Sequence, residues 1–231
     1  MKACTKEAML LVLAATTMVM LALTACGGGL AQEEKAKARP LPEDEKPLRP
    51  GEYRSEEFKP SLSFRVGEGW ECVPLEASDE LHIARTDETG GLGFAVTHEV
   101  YKPTRTGMPN VVETPKDLVG WFQHHPYLRT SKPEPATVGG VEGVQFDVVV
   151  DDLPEDYHGV CGSDCVAVAR LSSGSQTFLR EGYKLHLIVL EDVKGETVSI
   201  GLGSPASDFH EFAPKAQKVL NSVKWRGWRG A

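Results

Sequence analysis

Cysteines are the residues of this sequence with the clearest potential for chemistry. Cys161 and Cys165 are separated by three residues, and Cys72 is the only other thiol after residue 26. Two cysteines at this spacing can close a small loop by a disulfide in an oxidising compartment. Alternatively, the three thiols and His158 could form a Cys₃His zinc site. Because the spacing is not the usual C-x₂-C, we predict a Cys161–Cys165 disulfide, an unpaired Cys72 that is buried as a small apolar residue, and no metal.

Histidines are the next candidate ligands. His124 and His125 are adjacent at the end of a predicted helix, where neighbouring side chains point in different directions and a shared metal is not expected. His82, His98 and His186 lie in predicted strands, and they would share a site only if the sheet brought them together. Each is therefore interpreted as an edge or half-buried residue rather than as a ligand.

Glycine-rich and acidic segments lack the spacing of known site motifs. The acidic run at residues 151–156 does not have the EF-hand spacing and is predicted to be a solvated loop. Gly139-Gly140 precedes a strand rather than a helix, so it does not form a phosphate-binding loop. Residues 201–204 lack the GxSxG pattern of a nucleophile elbow. The sequence therefore predicts neither a catalytic motif nor a cofactor.

The N-terminal segment has the layout of a secretory signal. Lys2 and Lys6 precede an apolar run of 18 residues, from Ala8 to Ala25. That length is near the lower limit for a transmembrane helix, so length alone does not separate a signal from a retained anchor. The run ends in Leu-Thr-Ala-Cys26, which resembles the bacterial lipobox and implies cleavage before Cys26 and a diacylglycerol on its thiol. We therefore predict a signal peptide at residues 1–25 and a protein anchored by lipid at the outer face of the cell membrane.

Composition narrows the class of partner. The chain has 231 residues and a net charge of −8, which becomes −9 without residues 1–25 because these hold two lysines and one glutamate. Nucleic-acid-binding proteins have a basic footprint, so nucleic acid is not an expected partner. The remaining chain is long enough to bury the core of one domain.

Residues 26–51 are predicted to be the lipidated cysteine and a disordered tether. The segment is rich in glycine, proline and charged residues, and Leu41 and Leu48 are the only large apolar residues in its second half. Such a segment buries too little apolar surface to offset the entropy lost on ordering. One globular domain is expected over residues 52–226, followed by a tail at residues 227–231.

Short apolar runs between clusters of glycine, proline and aspartate predict a strand-rich domain. The predicted strands are 62–66, 81–85, 92–101, 144–150, 166–171, 177–180, 184–190 and 197–202. One helix is expected to start at Thr114-Pro115, and a second over residues 207–222, with Pro214 separating a short first turn. Antiparallel hairpins at Gly139-Gly140 and Lys194-Gly195, with one mid-chain and one terminal helix, predict an α+β sandwich.

Three short motifs resemble those of PsbP-like domains, a family named after an extrinsic subunit of photosystem II. They are Phe64–Trp70, Val138–Gly143 and Asn221–Trp225. The chain also resembles bacterial lipoproteins with such domains, over residues 52–226. It departs from the family at Gly67-Glu68, where many members have a proline before the Gly-Trp pair. The resemblance implies a central antiparallel sheet flanked by helices, an α/β/α sandwich, and a role in binding or stabilising partners without catalysis.

The expected function is that of a lipid-anchored, non-catalytic binding or accessory module at the cell envelope. We expect a monomer whose partner is an envelope protein or a small ligand. Trp228 is a candidate partner contact in the aromatic and basic C-terminal end, whereas Trp225 is expected to be core. The alternative is an exported enzyme or metal-binding protein whose site forms only in three dimensions. A deep pocket with convergent polar groups would favour that alternative.

Overall fold

The computed structural model describes residues 38–73, 76–106, 109–160 and 162–227. Lys37–Ala231 forms a compact unit of its own. The strands are β1 (Arg39–Pro40), β2 (Lys46–Leu48), β3 (Gly51–Arg54), β4 (Leu62–Val66), β5 (Trp70–Cys72), β6 (Glu80–Arg85), β7 (Gly91–Val96), β8 (Glu99–Tyr101), β9 (Val111–Glu113), β10 (Leu128–Thr130), β11 (Glu134–Val138), β12 (Val141–Val150), β13 (Cys165–Arg170), β14 (Gln176–Arg180), β15 (Tyr183–Val193), β16 (Glu196–Pro205) and β17 (Lys224–Trp225). The helices are α1 (Leu118–Gln123) and α2 (Phe209–Leu220).

Nine strands form an antiparallel central sheet in the order β10-β12-β15-β16-β7-β6-β5-β2, with β11 also paired to β12. Two of its hairpins turn at Gly139-Gly140 and at Lys194-Gly195, and all four residues have φ between 60° and 88°. Positive φ at both central residues is the geometry of a type I′ turn, which suits the twist of a two-residue hairpin. Both predicted turns are therefore confirmed.

One face of the central sheet packs against α2 and a four-stranded sheet of order β1-β3-β4-β17, which we call the first side sheet. The Phe94 ring of the central sheet lies 6.4 Å, between centroids, from Phe64 and from Trp225 of the first side sheet. Helix α2 contributes Phe212 and Ala216, both fully buried. These side chains belong to the larger of two hydrophobic cores, which we call the first core. The large residues of β7 and β16 all point into it.

The other face of the central sheet packs against α1 and a sheet of order β14-β13-β8-β9, the second side sheet. Phe146 and Leu187 from the central sheet, Phe122 from α1 and Val168 from β13 belong to this second core. The Phe122 and Phe146 rings meet edge to face at 5.8 Å. The domain is therefore layered sheet on sheet on sheet, with α2 added to the outer side of the first core.

The predicted central sheet flanked by helices is wrong. Strands make up 49% of the structure and helices 10%, with two helices and three sheets among the described residues. Helix α1 has only six residues, too short to cover a sheet face. The apolar residues of β13 and β14 cover that face instead, because strands of a separate sheet can bury the same surface as a helix layer.

The two helices also differ in detail from the expectation. Helix α1 starts at Leu118 rather than at Thr114-Pro115, because the Asp117 carboxylate accepts a hydrogen bond from the Gly120 amide at 2.7 Å and caps the helix there. Helix α2 continues through Pro214 without a separate first turn. Burial of one face of α2 in the first core stabilises the helix despite the N–H that proline lacks.

Residues 38–51 were expected in a disordered tether, but they belong to the folded domain. Strand β2 pairs with β5, which places Leu48 opposite Trp70, and β1 pairs with β3. Leu41 and Leu48 are 6% and 4% exposed and enter the first core. These two apolar residues are enough to order the segment because the rest of the first core comes from elsewhere in the chain. The folded domain therefore includes residues 38–51, ahead of the expected start at residue 52.

Within the described ranges, no helix combines the length and apolar character needed to cross a membrane. The predicted signal peptide, its cleavage site and the lipidated Cys26 all lie outside those ranges.

Candidate functional site

An apolar cleft of about 320 Å³ opens between the central sheet and the second side sheet. This is within the size range of small-molecule sites. The cleft is defined by His82, Gly91, Gly93, Ala95, Thr97, Val100, Leu118, Phe122, Val168, Ala169, Thr177, Tyr183, Leu185, Leu187, Ser199, Gly201 and Gly203.

The floor of the cleft is sheet backbone with almost no side chains. Three cross-strand pairs join β7 to β16 there, and every member is Gly, Ala or Ser. The pairs are Gly91 with Gly203, Gly93 with Gly201, and Ala95 with Ser199. Because the amides and carbonyls of a central strand are already paired within the sheet, this bare surface leaves few backbone polar groups for a ligand to satisfy.

The bare floor follows from a period-two pattern in both strands. Small residues alternate with large apolar ones, and successive side chains of a strand point to opposite faces. The large residues Leu92, Phe94, Ile200 and Leu202 therefore fill the first core at 0–1% exposure, while the small ones face the cleft. The same alternation that builds the core keeps the other face open.

The walls of the cleft are mostly apolar. Leu185 and Leu187 of β15 border one side of the floor, and Phe122 and Val168 lie across from it on α1 and β13. None of the described residues that line the cleft is Lys, Arg, Asp or Glu. Tyr183, at 45% exposure, is the one exposed large hydrophobic residue of the described chain, and it also lines the cleft. A polar or charged ligand would lose hydration here without finding an ion-pair partner.

His82 borders the floor on the side of β6, with a buried carboxylate beside it. Its Nε2 atom lies 3.6 Å from Oε2 of Glu80, which is only 3% exposed. The other oxygen of Glu80 accepts hydrogen bonds from the hydroxyls of Ser173, at 2.8 Å, and Ser175. Burial opposes ionisation of Glu80, but the contacts with His82, Ser175 and Ser173 outweigh it and lower its pKa.

Asp79 reinforces the same corner. Its Oδ2 accepts hydrogen bonds from the backbone amides of Ser172 and, at 3.3 Å, Ser173, and its Oδ1 has no hydrogen-bond partner among the described residues. Together Asp79 and Glu80 tie the start of β6 to the turn between β13 and β14. This connection holds the second side sheet beside the central sheet at the His82 end of the cleft.

A wider groove of about 650 Å³ lies elsewhere and is mainly acidic. Its lining includes Glu43, Asp44, Glu56, Glu57 and Glu76. Glu76 already serves the fold, because its Oε1 accepts hydrogen bonds from the amides of residues 56–58, at 2.7 to 3.4 Å. We therefore regard the apolar cleft as the candidate site.

His125 is buried apart from the cleft. It is 5% exposed and packs beside Trp121, with ring centroids 4.9 Å apart. Its Nδ1 accepts a hydrogen bond from the Tyr127 amide at 3.3 Å, and its Nε2 has no partner among the described residues. Burial lowers the pKa of His125 to about 4. The adjacent cavity of about 10 Å³ has room for roughly one water molecule.

The predicted cysteine sites are only partly within the described structure. Cys165 opens β13 and is fully buried, whereas Cys161 lies outside the described residues, so the Cys161–Cys165 disulfide stays a prediction. Cys72 is a buried free thiol of the first core, and its Sγ donates a hydrogen bond to the Pro42 carbonyl at 3.3 Å. His158 is exposed. No three His, Cys, Asp or Glu side chains gather as a metal site in the part of the chain that the structure describes.

The histidines of the sheet do not converge. His82 faces the cleft, and His186 lies on the opposite face of the central sheet, where its Nδ1 is 2.8 Å from Asp147 Oδ1. His98 is exposed between β7 and β8. His124 closes α1, with its Nδ1 2.7 Å from the Gly120 carbonyl.

The remaining predicted residues fall into two groups. The acidic segment 151–156 is largely exposed, and two of its aspartates make solvent-exposed ion pairs at 3.7 and 3.8 Å. Trp225 is core, as expected, and its Nε1 donates a hydrogen bond to the Val138 carbonyl at 3.0 Å. Trp228 lies outside the described residues, so its role as a partner contact is untested.

Sequence reasoning missed the floor of the cleft. Residues 201–204 are considered above only as a possible nucleophile elbow, and residues 92–95 only as part of a predicted strand. The available signal was the strict alternation of small and large residues in two strands. Its meaning depends on the pairing of β7 with β16, which are about a hundred residues apart in the chain.

Comparisons with known proteins show only distant likenesses. No protein-family model matches the chain, and the search of curated proteins found no match. Among solved structures, the chain is similar to the solution structure of cyanobacterial PsbP from Synechocystis sp. PCC 6803, with 12% identity, a TM-score of 0.40, and coverage of 77% of this chain and 94% of that one. This neighbour belongs to the family whose motifs the sequence resembles.

A second similar structure is LpqN of Mycobacterium tuberculosis, which is described as involved in cell envelope biogenesis. It shares 10% identity with this chain at a TM-score of 0.28, covering 78% of this chain and 90% of that one. Both TM-scores lie below 0.5, so neither likeness carries an argument about the function of this chain.

Proposed function

We propose that this protein is a non-catalytic binding module that takes up a small apolar ligand in the cleft, and that lipid on Cys26 anchors it at the outer face of the bacterial cell membrane. The single observation that supports ligand uptake is the bare floor of β7 and β16 beneath apolar walls. The anchor is supported by the lipobox-like end of the apolar N-terminal run.

The physical driving force is removal of apolar surface from water. An apolar ligand on the floor would cover glycine backbone, the leucines of β15 and Phe122 at the same time. Burial of apolar surface contributes roughly 25 cal/mol per Å² before the costs of association. The hydrogen-bonded strands beneath would lose no polar contacts, so little of this gain is offset by desolvation of the protein.

A binding role fits this lining better than catalysis. The polar side chains of the cleft are His82, Tyr183 and three small hydroxyl residues, and they are distributed around apolar surface rather than gathered at one point. An enzyme would be favoured by a deep pocket with convergent polar groups. The cleft instead has the apolar character and volume typical of ligand-holding sites.

The test of ligand binding uses the folded unit Lys37–Ala231 and the neutral fluorescent probe N-phenyl-1-naphthylamine. The wild-type unit should enhance and blue-shift the probe emission with saturable binding. Gly203→Val should weaken binding at least about tenfold, because the valine methyls would fill the floor. Position 203 can accept the change, since an added Cβ would meet only Leu185 Cδ1, at 3.9 Å, and valine favours strands.

Gly67→Val is the matched control for this experiment. Gly67 is exposed and is not among the residues that line the cleft, and a Cβ there would meet nothing within 4 Å. This variant should bind the probe as the wild type does. Equal binding by wild type and Gly203→Val, or no saturable binding at all, would overturn the proposed ligand site.

The anchor is tested separately in the full chain. Cys26→Ala should abolish incorporation of a labelled fatty acid and leave the protein as an unprocessed precursor or release it from the membrane. Two acyl chains on one cysteine give stable attachment, whereas the variant would have none. Fatty-acid label that persists on Cys26→Ala would contradict the proposal.

A further inference from the structure

His82 adds a hydrogen-bonding ring to the border of the cleft floor. It is the cross-strand partner of Gly93, and a Cβ built on Gly93 would lie 2.7 Å from Cε1 and 2.8 Å from Nδ1 of the imidazole. The Cε1–Nδ1 edge of the ring therefore lies over the floor. The Nε2 atom is farther from that Cβ position, at 3.5 Å, and lies 3.6 Å from Oε2 of Glu80.

Glu80 determines which nitrogen carries the proton. Its carboxylate is buried and held by two serine hydroxyls, and its pKa is lowered, so it is ionised at neutral pH. A carboxylate beside Nε2 favours the tautomer with a proton on Nε2. In the neutral ring, Nδ1 is then left as a hydrogen-bond acceptor.

That acceptor is available to a ligand. Nδ1 of His82 makes no hydrogen bond to any residue within the described ranges, and the His82 side chain is 37% exposed. An acceptor at the border of the cleft gives a directional contact that the apolar part of the lining cannot give. It selects a ligand whose polar group donates a hydrogen bond.

Resting on the proposed function, we propose that the ligand is a neutral amphiphile: its apolar chain lies on the bare floor, and a hydroxyl at its polar end donates a hydrogen bond to Nδ1 of His82. His82 is thus a specificity-determining residue, and Glu80 is the positioning residue behind it.

The charges around the cleft favour a neutral polar end over an anionic one. Among the described residues, the lining has no Lys or Arg that could pair with a carboxylate or phosphate, and the anionic Glu80 lies 3.6 Å from Nε2 of His82. An anionic ligand would lose its hydration and meet a like charge. A hydroxyl donor needs no countercharge.

The experiment measures displacement of N-phenyl-1-naphthylamine from the unit Lys37–Ala231 by three ligands of equal chain length. Decan-1-ol has the hydroxyl, 1-methoxydecane replaces its proton by a methyl group, and decanoate is anionic. One hydrogen bond of ordinary strength predicts that the alcohol binds about 2- to 12-fold more tightly than the ether. Decanoate should bind more weakly than the alcohol at pH 7.

Variants of His82 assign the preference to its side chain. His82→Phe and His82→Leu both remove the acceptor and should bring the alcohol-to-ether ratio to about one, with the affinity for the ether unchanged. His82→Gln keeps an acceptor and should retain part of the preference. Gly67→Val serves again as the control with the wild-type ratio.

The outcomes separate this inference from the proposed function. If the probe binds and Gly203→Val blocks it, but the acceptor-free variants keep the wild-type ratio, the role of His82 is rejected and the cleft stands. Tighter binding of decanoate than of decan-1-ol would also reject the neutral ligand. Absence of saturable probe binding would overturn the cleft itself and this inference with it.

Discussion

Gly93 and His82 face each other across β7 and β6, and the imidazole of His82 covers the place that a side chain at position 93 would occupy. A Cβ at Gly93 would approach the ring to 2.7 Å, closer than a Cβ atom tolerates, so one of the two groups would have to move. The glycine thus allows His82 to lie against the floor of the cleft while its other edge contacts Glu80.

Gly93→Ala is expected to displace the His82 ring and raise the pKa of Glu80. The contact with His82 lowers that pKa against the opposing effect of burial, so its loss removes stabilisation of the charged form. The measurement is a carboxyl ¹³C NMR titration of Glu80. Gly91→Ala is the matched control, because a Cβ at position 91 meets only the Ile83 carbonyl, at 3.5 Å. An unchanged Glu80 titration in Gly93→Ala would show that the ring does not depend on the glycine.

Stability should fall as the pH is lowered because of His125. Burial places its pKa at about 4 in the folded protein, against an ordinary value of 6.5, so between these values the unfolded chain binds more protons. The contribution of neutral His125 to the free energy of unfolding is intact above pH 6.5 and is progressively lost as the pH falls below that value. The loss amounts to about 3 kcal/mol near pH 4. Urea denaturation at a series of pH values measures this slope.

Two histidine variants identify the source of that slope. His125→Phe keeps a ring beside Trp121 and removes the titrating group, so it should flatten the change in unfolding free energy between pH 6.5 and pH 4. His124→Gln alters the neighbouring histidine, whose side chain is exposed at the end of α1, and should keep the wild-type slope. If both variants behaved like the wild type, another group would be responsible.

Leu48→Ala should destabilise the protein by about 2–5 kcal/mol, the usual cost of deleting a buried leucine side chain. Leu48 is 4% exposed and faces the first core from β2. Lys46→Ala is the control in the same strand, because the Lys46 side chain is 58% exposed and its ion pair with Asp44 lies in solvent. Chemical denaturation compares the two, and a loss below about 0.5 kcal/mol for Leu48→Ala would mean that residues 38–51 do not contribute to the fold.

Thiol counting tests the predicted Cys161–Cys165 disulfide in the exported protein. One thiol per chain, at Cys72, is expected, and it should react only after unfolding. Cys72 is buried, and burial raises the pKa of its thiol with a further contribution from the charge of Glu76, so little reactive thiolate forms. Two additional free thiols, or zinc bound in equal amount to protein, would contradict the bridge.

Local patterns in the sequence were sufficient for most strands, both hairpin turns and the terminal helix. Seven of the eight predicted strands are present as single strands, whereas the strand predicted at 92–101 is divided into β7 of the central sheet and β8 of the second side sheet. The glycines of the Gly139-Gly140 turn adopt the positive φ that such a hairpin requires. Signals of this kind depend on residues a few positions apart, which is why they can be read without tertiary structure. The missed strands have five residues or fewer, which gives a local pattern little length in which to show itself.

The layer arrangement and the domain boundary were decided by long-range packing. Periodicity indicates that a segment has an apolar face, but not whether a helix or another sheet covers it, and here the second side sheet does so. Leu41 and Leu48 form no cluster of their own, and they are buried only because β5 and the first core lie beside them. A segment with two leucines has the composition of a tether until a partner surface is known.

The sequence alone determined the alternation of small and large residues in β7 and β16, and with it which side chains enter the first core. Only the tertiary structure decided that the small residues of both strands lie in register on one face, with His82 against Gly93 and a second sheet opposite. The physical reason is that an open cleft depends on the absence of side chains from several strands at the same place. That coincidence depends on strand pairing and sheet packing, which no local pattern specifies.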